Sequence, residues 1–505
     1  MSYPSLHFKK TATLASKLSE KDIYDWLMTV GYYPENYVLP PCFIVTKYPP
    51  FGKVYSKVNK RGKYCPKTST LVQIQFPKSE YADRTFSILN PEIYCDIAFE
   101  IASNWKKLLK VIFSTKSNIC SYSFPIPLDS KNPGMIGKLR SGRMIYEFIE
   151  MAENDLASEA YQYKVLVTID IKNFYPSIYT HSLAWSIHGL TYVRAKSRRH
   201  NYKYLGNRID RLFQCSNNDQ TNGLPIGPAV SDVVSEILLA RIETEISRTH
   251  SSKQFIAVRF KDDYRVLCES EDQAKSIIKS LQHALKNFNL ELNENKTTIY
   301  QLPDGLFRRW VSRYNAVNPL PKRKYSFTKF KEVYLAVVSI DHDLPGTGVV
   351  DRFLSDILTK DYKPNFEVSQ KTLPKIISLL LMLADLRIKS FPKILGIIES
   401  IMQNENNPWY TKRIGTYLGE YLDNLASAES ENRYLIIWIL YFLKSNKLDT
   451  YIKKKYPFKD PFVKTVQSNR SNVFSKCKDF KLFMGIIKTA KQKSLLEHLD
   501  VFSPQ

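Results

Sequence analysis

Acidic side chains are scarce in this sequence. Against 73 lysines and arginines stand 49 aspartates and glutamates, a formal charge of +24 over 505 residues. Such an excess points to a polyanionic partner, nucleic acid or nucleotides first and a membrane surface second. Long apolar runs are missing too: "IISLLLML" (376–383) and "YLIIWILYFL" (434–443) fall short of the roughly 20 residues that span a bilayer, so no membrane partner is expected. The N-terminal "MSYPSLHFKKTATLASKLSE" lacks the apolar region of a secretory signal, which predicts a cytoplasmic protein. Seven cysteines are scattered with no CxxC spacing, so they read as reduced and structural. Eight histidines contain no HExxH, which leaves a zinc hydrolase without support. No repeat of fixed period and no low-complexity tract is present.

What the sequence does contain reads as globular, 44% hydrophobic and 24% charged, and its length suggests more than one domain. Residues 8–31 have the pattern of an amphipathic helix, and "YYPENYVLPPCF" (32–43) interrupts it with prolines. "CSYSFPIPLDSKNPG" (120–134) reads as irregular. The following segment turns helical at Gly142, with Phe148, Ile149 and Ala152 on one face. "KVLVTIDI" (164–171) predicts a strand ending near Asp170. "PAVSDVVSEILLARIETEIS" (228–247) predicts a helix opened by Pro228. "FIAVRF" and "YRVLCE" form a hairpin through Lys261, Asp262 and Asp263, and 271–289 returns to a helix.

This order predicts an α+β layer, a sheet with helices on one face. Beyond "HDLPGTG" (342–348) the character becomes all-helical, with helices expected at 373–386, 394–402, 410–425 and 433–443. The expected division is 1–115, an N-terminal helical region; 116–344, the mixed part; and 345–505, the helical part.

Asp262 and Asp263 stand side by side in the apolar run "VRFKDDYRVL", where two carboxylates repel each other and are costly to desolvate. An exposed hairpin tip would explain them; so would a divalent cation. If the hairpin pairs beside the 164–171 strand, Asp170 and Asp262 converge at one sheet edge. Carboxylates so placed can hold two magnesium ions with the Ile171 carbonyl, the arrangement that promotes nucleotidyl transfer, with Asp263 as a supporting ligand. Manganese shares the oxygen preference. Between the acidic positions, "NGLPIG" feeds a helix, and Gly223 and Gly227 allow close backbone approach to a substrate. Lys296, on a turn after the hairpin layer, could protonate pyrophosphate; a solvated lysine fits equally well there.

These segments together resemble the reverse transcriptase family. "DIKNFYPSI" (170–178) is similar to its motif A, "GLPIGPAVS" (223–231) to motif B, "FKDD" (260–263) to the YxDD box of motif C, and "LELNENKT" (290–297) to motif D. "LRSGR" (139–143) resembles the fingers motif that clamps the triphosphate, which nominates Arg140 and Arg143. The resemblance implies a fingers-palm fold, catalytic Asp170, Asp262, Asp263 and Lys296, and nucleotide contacts at Ile171, Tyr175 and Gly227. Tyr175 occupies the steric-gate position of motif A, which implies dNTP rather than rNTP use. Ile226 replaces the family's glutamine in motif B, and Phe260 and Lys261 alter the YxDD box.

The polymerase-like core with a long helical half behind it resembles the abortive-infection reverse transcriptases of bacterial phage defence. That resemblance implies a HEAT-like C-terminal domain and homo-oligomers, trimer or hexamer. It also implies a single-stranded DNA product made without a template and primed by a protein tyrosine, with Tyr32, Tyr33, Tyr37 and Tyr48 as candidates. RNA-templated synthesis, with RNA as a further partner, and an inactive nucleic-acid-binding scaffold stand as alternatives. "RAKSRRHNYKYLGNRIDR" (194–211) and "PKRKYSFTKFK" (321–331) are basic and interleaved with aromatics, suited to tracking a single strand or simply to solvation.

Overall fold

The computed structural model describes residues 2–79, 82–137, 142–248, 250, 255–319, 324–453, 456–470, 473–474, 477–486 and 494–500. Two helices, α1 (Tyr3–Ser16) and α2 (Glu20–Met28), stand where one was expected over 8–31. Ser19 separates them: in extended backbone, its side chain accepts the Asp22 N–H at 3.1 Å, and such an N-cap starts a new helix. A two-stranded antiparallel sheet, β1 (Val72–Ser79) and β2 (Ala82–Ile88), precedes α3 (Pro91–Ser103) and α4 (Trp105–Ile112).

The central sheet consists of β3 (Ile119–Ser121), β4 (Val165–Asp170), β5 (Phe255–Phe260), β6 (Asp263–Cys268) and β7 (Thr298–Gln301), in the spatial order β3-β5-β6-β4-β7. All pairings are antiparallel except β3 with β5. The expected hairpin is β5–β6, and β6 pairs directly with β4.

Helices cover both faces of this sheet rather than one. Val167, Ile169, Ala257 and Val266 join the main core, with α10 (Ala229–Ile246) and α11 (Glu271–Lys286). Leu166, Val258 and Leu267 point to a second, smaller core with Ala152 and Leu156 of α5 (Gly142–Glu159). A strand buried on both faces has no polar side to show, so "VLVTI" reads as a continuous apolar run rather than an alternation. Between β4 and α10 lie α6 (Phe174–Ser177), α7 (His181–His188), α8 (Leu190–Arg194) and α9 (Leu205–Ser216).

The C-terminal half is helical: α12 (Arg309–Val317), α13 (Phe327–Asp343), α14 (Val349–Asp356), α15 (Leu373–Leu386), α16 (Phe391–Glu405), α17 (Pro408–Ala426), α18 (Glu429–Ser445) and α19 (Pro461–Ser468). From α15 to α18 each helix packs on the next. Residues 344–348 join α13 to α14, but one buried polar network spans that joint. Tyr314 donates to Asp356 at 2.8 Å, and Tyr325 donates to Asn318, whose amide reaches the Tyr314 oxygen.

The end of the chain returns to its beginning. Backbone bonds link Thr46 and Lys47 to Lys481, and Phe43 packs against Phe462 and Phe483. Among the described residues, no helix is long and apolar enough to cross a membrane.

Candidate active site

β4 delivers Asp170 to the sheet edge, and the register sets Asp170 directly opposite Asp263, the first residue of β6. The hairpin turn itself is Lys261 and Asp262. Lys261 adopts a left-handed conformation, φ 52°, which is unfavourable for a residue with a side-chain stem and requires outside support. Ser123 Oγ accepts the Lys261 N–H at 2.8 Å, and Arg259 donates to the Lys261 carbonyl at 3.0 Å. On the far side of the turn, the Ile171 N–H donates to the Asp262 carbonyl at 3.2 Å, which ties the turn to the end of β4.

Arg259 is a fully buried guanidinium at the penultimate position of β5. It meets Glu236 at 2.7 and 3.1 Å and pairs with Glu243, two carboxylates seven residues apart on one face of α10. Sequence reading passed over this cluster. The available signal was an arginine at an inward strand position, which demands buried acids.

Both carboxyl oxygens of Asp170, a residue only 7% exposed, are engaged. Asn293 Nδ2 donates to Oδ1 at 3.0 Å and Lys296 Nζ donates to Oδ2 at 3.0 Å. Asn293 was not foreseen, although it lies inside "LELNENKT"; its N–H also bonds the Asp170 carbonyl at 2.8 Å. Lys296 therefore lies on the acidic cluster.

Burial, followed by the charge of Asp170, raises the Asp262 carboxyl above the usual carboxylate range. Asp263 has an exposed outer surface, but its carboxyl turns in toward Asp170, and burial together with Asp262 and Asp170 pushes it to about 7. Burial lowers the Lys296 ammonium pKa, yet its bond to Asp170 and the charges of Asp263 and Asp262 outweigh that and raise it, keeping the ammonium charged. Two lysines, Lys296 and Lys261, thus face three crowded carboxyls. Hard oxygen donors with unrelieved like charge fit a hard divalent cation such as Mg²⁺ or Mn²⁺. Among the described residues no group of three or more His, Cys, Asp or Glu side chains is placed so as to hold a metal ion by itself.

Tyr175, on α6, packs its ring edge-on against Phe174 at 5.2 Å. Its hydroxyl donates to Asp232 Oδ1 at 2.5 Å and lies 3.4 Å from Ser235 Oγ, both in the first two turns of α10. Burial and the Asp232 charge hold the phenol neutral. Gly227 has φ 116°, and a Cβ there would meet Pro34 at 2.9 Å, so a tight protein contact already requires glycine. Gly223, at φ 87°, lies against the Pro176 backbone.

The other expected sites are placed as follows. Arg140 lies outside the described residues, as does the Arg143 side chain; the Arg143 backbone is in the first turn of α5. Tyr32, an expected primer candidate, is 1% exposed, and its hydroxyl donates to the Leu89 carbonyl in the core at 2.8 Å. The Tyr33 hydroxyl donates to the Leu482 carbonyl at 2.6 Å. Half-buried Tyr37 lines a cavity of about 400 Å³, with the Lys389 ammonium 4.3 Å from its ring centre. Tyr48 is half-buried beside Tyr24.

Within the basic stretch, Arg208 forks onto Glu100 at 2.6 and 2.8 Å and Arg211 pairs with Asp219, while Lys196, Arg199 and Lys203 face solvent. Residues 321–323 of the second basic stretch lie outside the described residues.

Residues 128–329, which contain this whole acidic edge, match the family model "Reverse transcriptase (RNA-dependent DNA polymerase)". The chain carries a reverse transcriptase domain. In that domain β4, the β5–β6 hairpin and the turn after α11 bring together the residues named from motifs A, C and D.

No curated protein sequence matches the chain. Among solved structures it is similar to apo telomerase from Candida tropicalis, at 12% identity over 64% of this chain and 65% of that one, with TM-score 0.32. It is also similar to telomerase from Candida albicans in complex with the TWJ fragment of telomeric RNA, at 12% identity over 85% and 65%, with TM-score 0.30. The matched region thus spans about 65% of the length of these telomerases.

Proposed function

We propose that the protein is a DNA polymerase of the reverse transcriptase type that joins dNTPs by nucleotidyl transfer and acts in phage defence, in the manner of abortive infection. The observation that carries the polymerase reading is the convergence of Asp170, Asp262 and Asp263 at one sheet edge with Lys296 bonded to Asp170. Asp170, Asp262 and the Ile171 carbonyl would hold the ions, with Asp263 supporting. Bound Mg²⁺ or Mn²⁺ would supply activation of the attacking hydroxyl and neutralisation of the departing pyrophosphate.

The chain's own residues do the rest. Lys296 keeps a proton on Nζ within reach of the acidic edge, placed to be given to the leaving pyrophosphate oxygen as the bond between the α and β phosphates breaks. Tyr175, whose phenol feels the charge of Asp262, would lie under the sugar and exclude a 2′-hydroxyl. Arg140 and Arg143 belong to the triphosphate clamp in this reading, and Gly227 to the nucleotide-facing loop. The exposed Lys196, Arg199 and Lys203 suit the phosphates of single-stranded DNA or RNA.

The phage-defence part of the proposal rests on the likeness of the motif order and helical half to abortive-infection enzymes. It includes untemplated synthesis, a tyrosine primer, a HEAT-like region over 345–505 and a cytoplasmic homo-oligomer. Tyr37 and Tyr48 remain the half-buried N-terminal candidates for the primer whose hydroxyls are not committed to a backbone carbonyl in the core.

The test is incubation of the purified protein with labelled dNTPs and Mg²⁺, without template or primer, beside Asp262→Ala, with products run before and after protease. Label that stays on the protein until digestion and is absent from Asp262→Ala is the expected result. Label only after an RNA template and primer are added would replace untemplated synthesis with RNA-templated synthesis. No label under either condition would leave a nucleic-acid-binding scaffold.

A further inference from the structure

The gate position is braced by a residue outside the motif resemblances. Tyr175 is held at both ends. At the backbone, its carbonyl accepts the Leu224 N–H at 2.9 Å, which fixes α6 against the loop that opens α10. At the far end, the hydroxyl donates to Asp232 Oδ1 at 2.5 Å. Ser235, one turn on, donates to the Asp232 carbonyl at 2.9 Å and keeps its own oxygen 3.4 Å from the phenol. The same Asp232 Oδ1 lies 3.9 Å from Lys261 Nζ, so a single carboxylate connects the gate to the turn that carries Asp262. Asp232 occupies the first turn of α10, where the helix dipole favours a carboxylate.

We propose that Asp232 is a positioning residue that sets sugar discrimination by pinning the Tyr175 ring. This rests on the reading of Tyr175 as the sugar gate given above. An aromatic χ2 well is broad, and a ring held only at Cα can tilt away from a 2′-hydroxyl pressed against its edge. A ring whose phenol oxygen is bonded to an ionised acceptor cannot tilt without breaking that bond. Burial and the Asp232 charge keep the phenol protonated, so the donor persists at working pH. Lys261 opposes the Asp232 charge from the other side and steadies the acceptor. Exclusion of a ribose is therefore enforced from α10 as well as by the size of the ring.

The test is the ratio of kcat/KM for a dNTP to that for its rNTP, measured for the wild type, Asp232→Ala, Asp232→Asn, Tyr175→Phe and Tyr175→Ala. Asp232→Ala and Tyr175→Phe each lower the ratio by about tenfold, the order expected of one charge-assisted hydrogen bond. Combining them lowers it no further, because both remove the same bond. Asp232→Asn, whose amide oxygen still accepts, keeps most of the ratio and guards against misfolding of the alanine variant. A ratio that falls in Tyr175→Ala but is unchanged in Asp232→Ala, Asp232→Asn and Tyr175→Phe would overturn the role of Asp232 and leave the gate standing. An unchanged ratio in Tyr175→Ala would remove the gate itself and the proposal with it. A wild type that incorporates neither nucleotide would refute the polymerase reading on which both depend.

Discussion

Lys296 Nζ donates to Asp170 Oδ2 across 3.0 Å, from the turn before β7 to the end of β4. This bond places an ammonium on the acidic edge before any substrate is present.

Replacing that ammonium by an isosteric apolar chain, Lys296→Met, is expected to lower kcat for nucleotide addition by about 10²-fold, the lower end for a positioned general acid. KM for the dNTP is expected to change much less. Steady-state kinetics check this, and an equal loss in kcat/KM with kcat unchanged would make Lys296 a binding residue only.

Arg259 neutralises two buried carboxylates and supports the left-handed Lys261 turn. Arg259→Met strands Glu236 and Glu243, and a broken buried ion pair costs about 3–5 kcal/mol. Urea unfolding should show that loss, and Ser123→Ala, which removes the acceptor for the Lys261 N–H together with the longer Oγ contacts to Arg259 and Glu236, should cost about 1 kcal/mol for each bond lost. The shared core of the sheet predicts that both variants lose stability and nucleotide addition together.

His188 gives the protein an acid-sensitive joint. Its Nε2 accepts the Gly206 N–H at 3.0 Å, which requires the neutral ring. Burial, then Lys107, Arg208 and Arg241, lowers its pKa to about 4. The unfolded chain therefore binds more protons than the folded one between about 6.5 and about 4, so stability is full above about 6.5 and falls as pH drops through that window. Melting temperatures from pH 7 to 4 should show a steeper acid loss for the wild type than for His188→Gln, which keeps an acceptor and cannot be charged.

Much of the site was legible because it depends on short-range rules. An apolar run ending in Asp170, a two-strand segment broken at Lys261 and Asp262, and a proline-opened helix each follow from patterns within a few residues. The missed features share one cause. Glu243, Glu236 and Ser123 lie 16, 23 and 136 residues from Arg259, and Asn293 lies 123 residues from Asp170. Such partners are chosen by packing, which local periodicity does not encode.

By itself, then, the sequence determined the cationic character, the β4 and hairpin strands, the helical C-terminal half and the identity of the acidic residues. The tertiary structure alone decided that α5 covers the second face of the sheet and that the chain end returns to Thr46 and Lys47. It also enclosed the Tyr32 hydroxyl in the core and brought Asp232 to the phenol of Tyr175. The physical reason is that secondary structure is set by backbone sterics and local period, whereas burial and charge pairing are settled only when distant segments compete for the same space and the same hydrogen bonds.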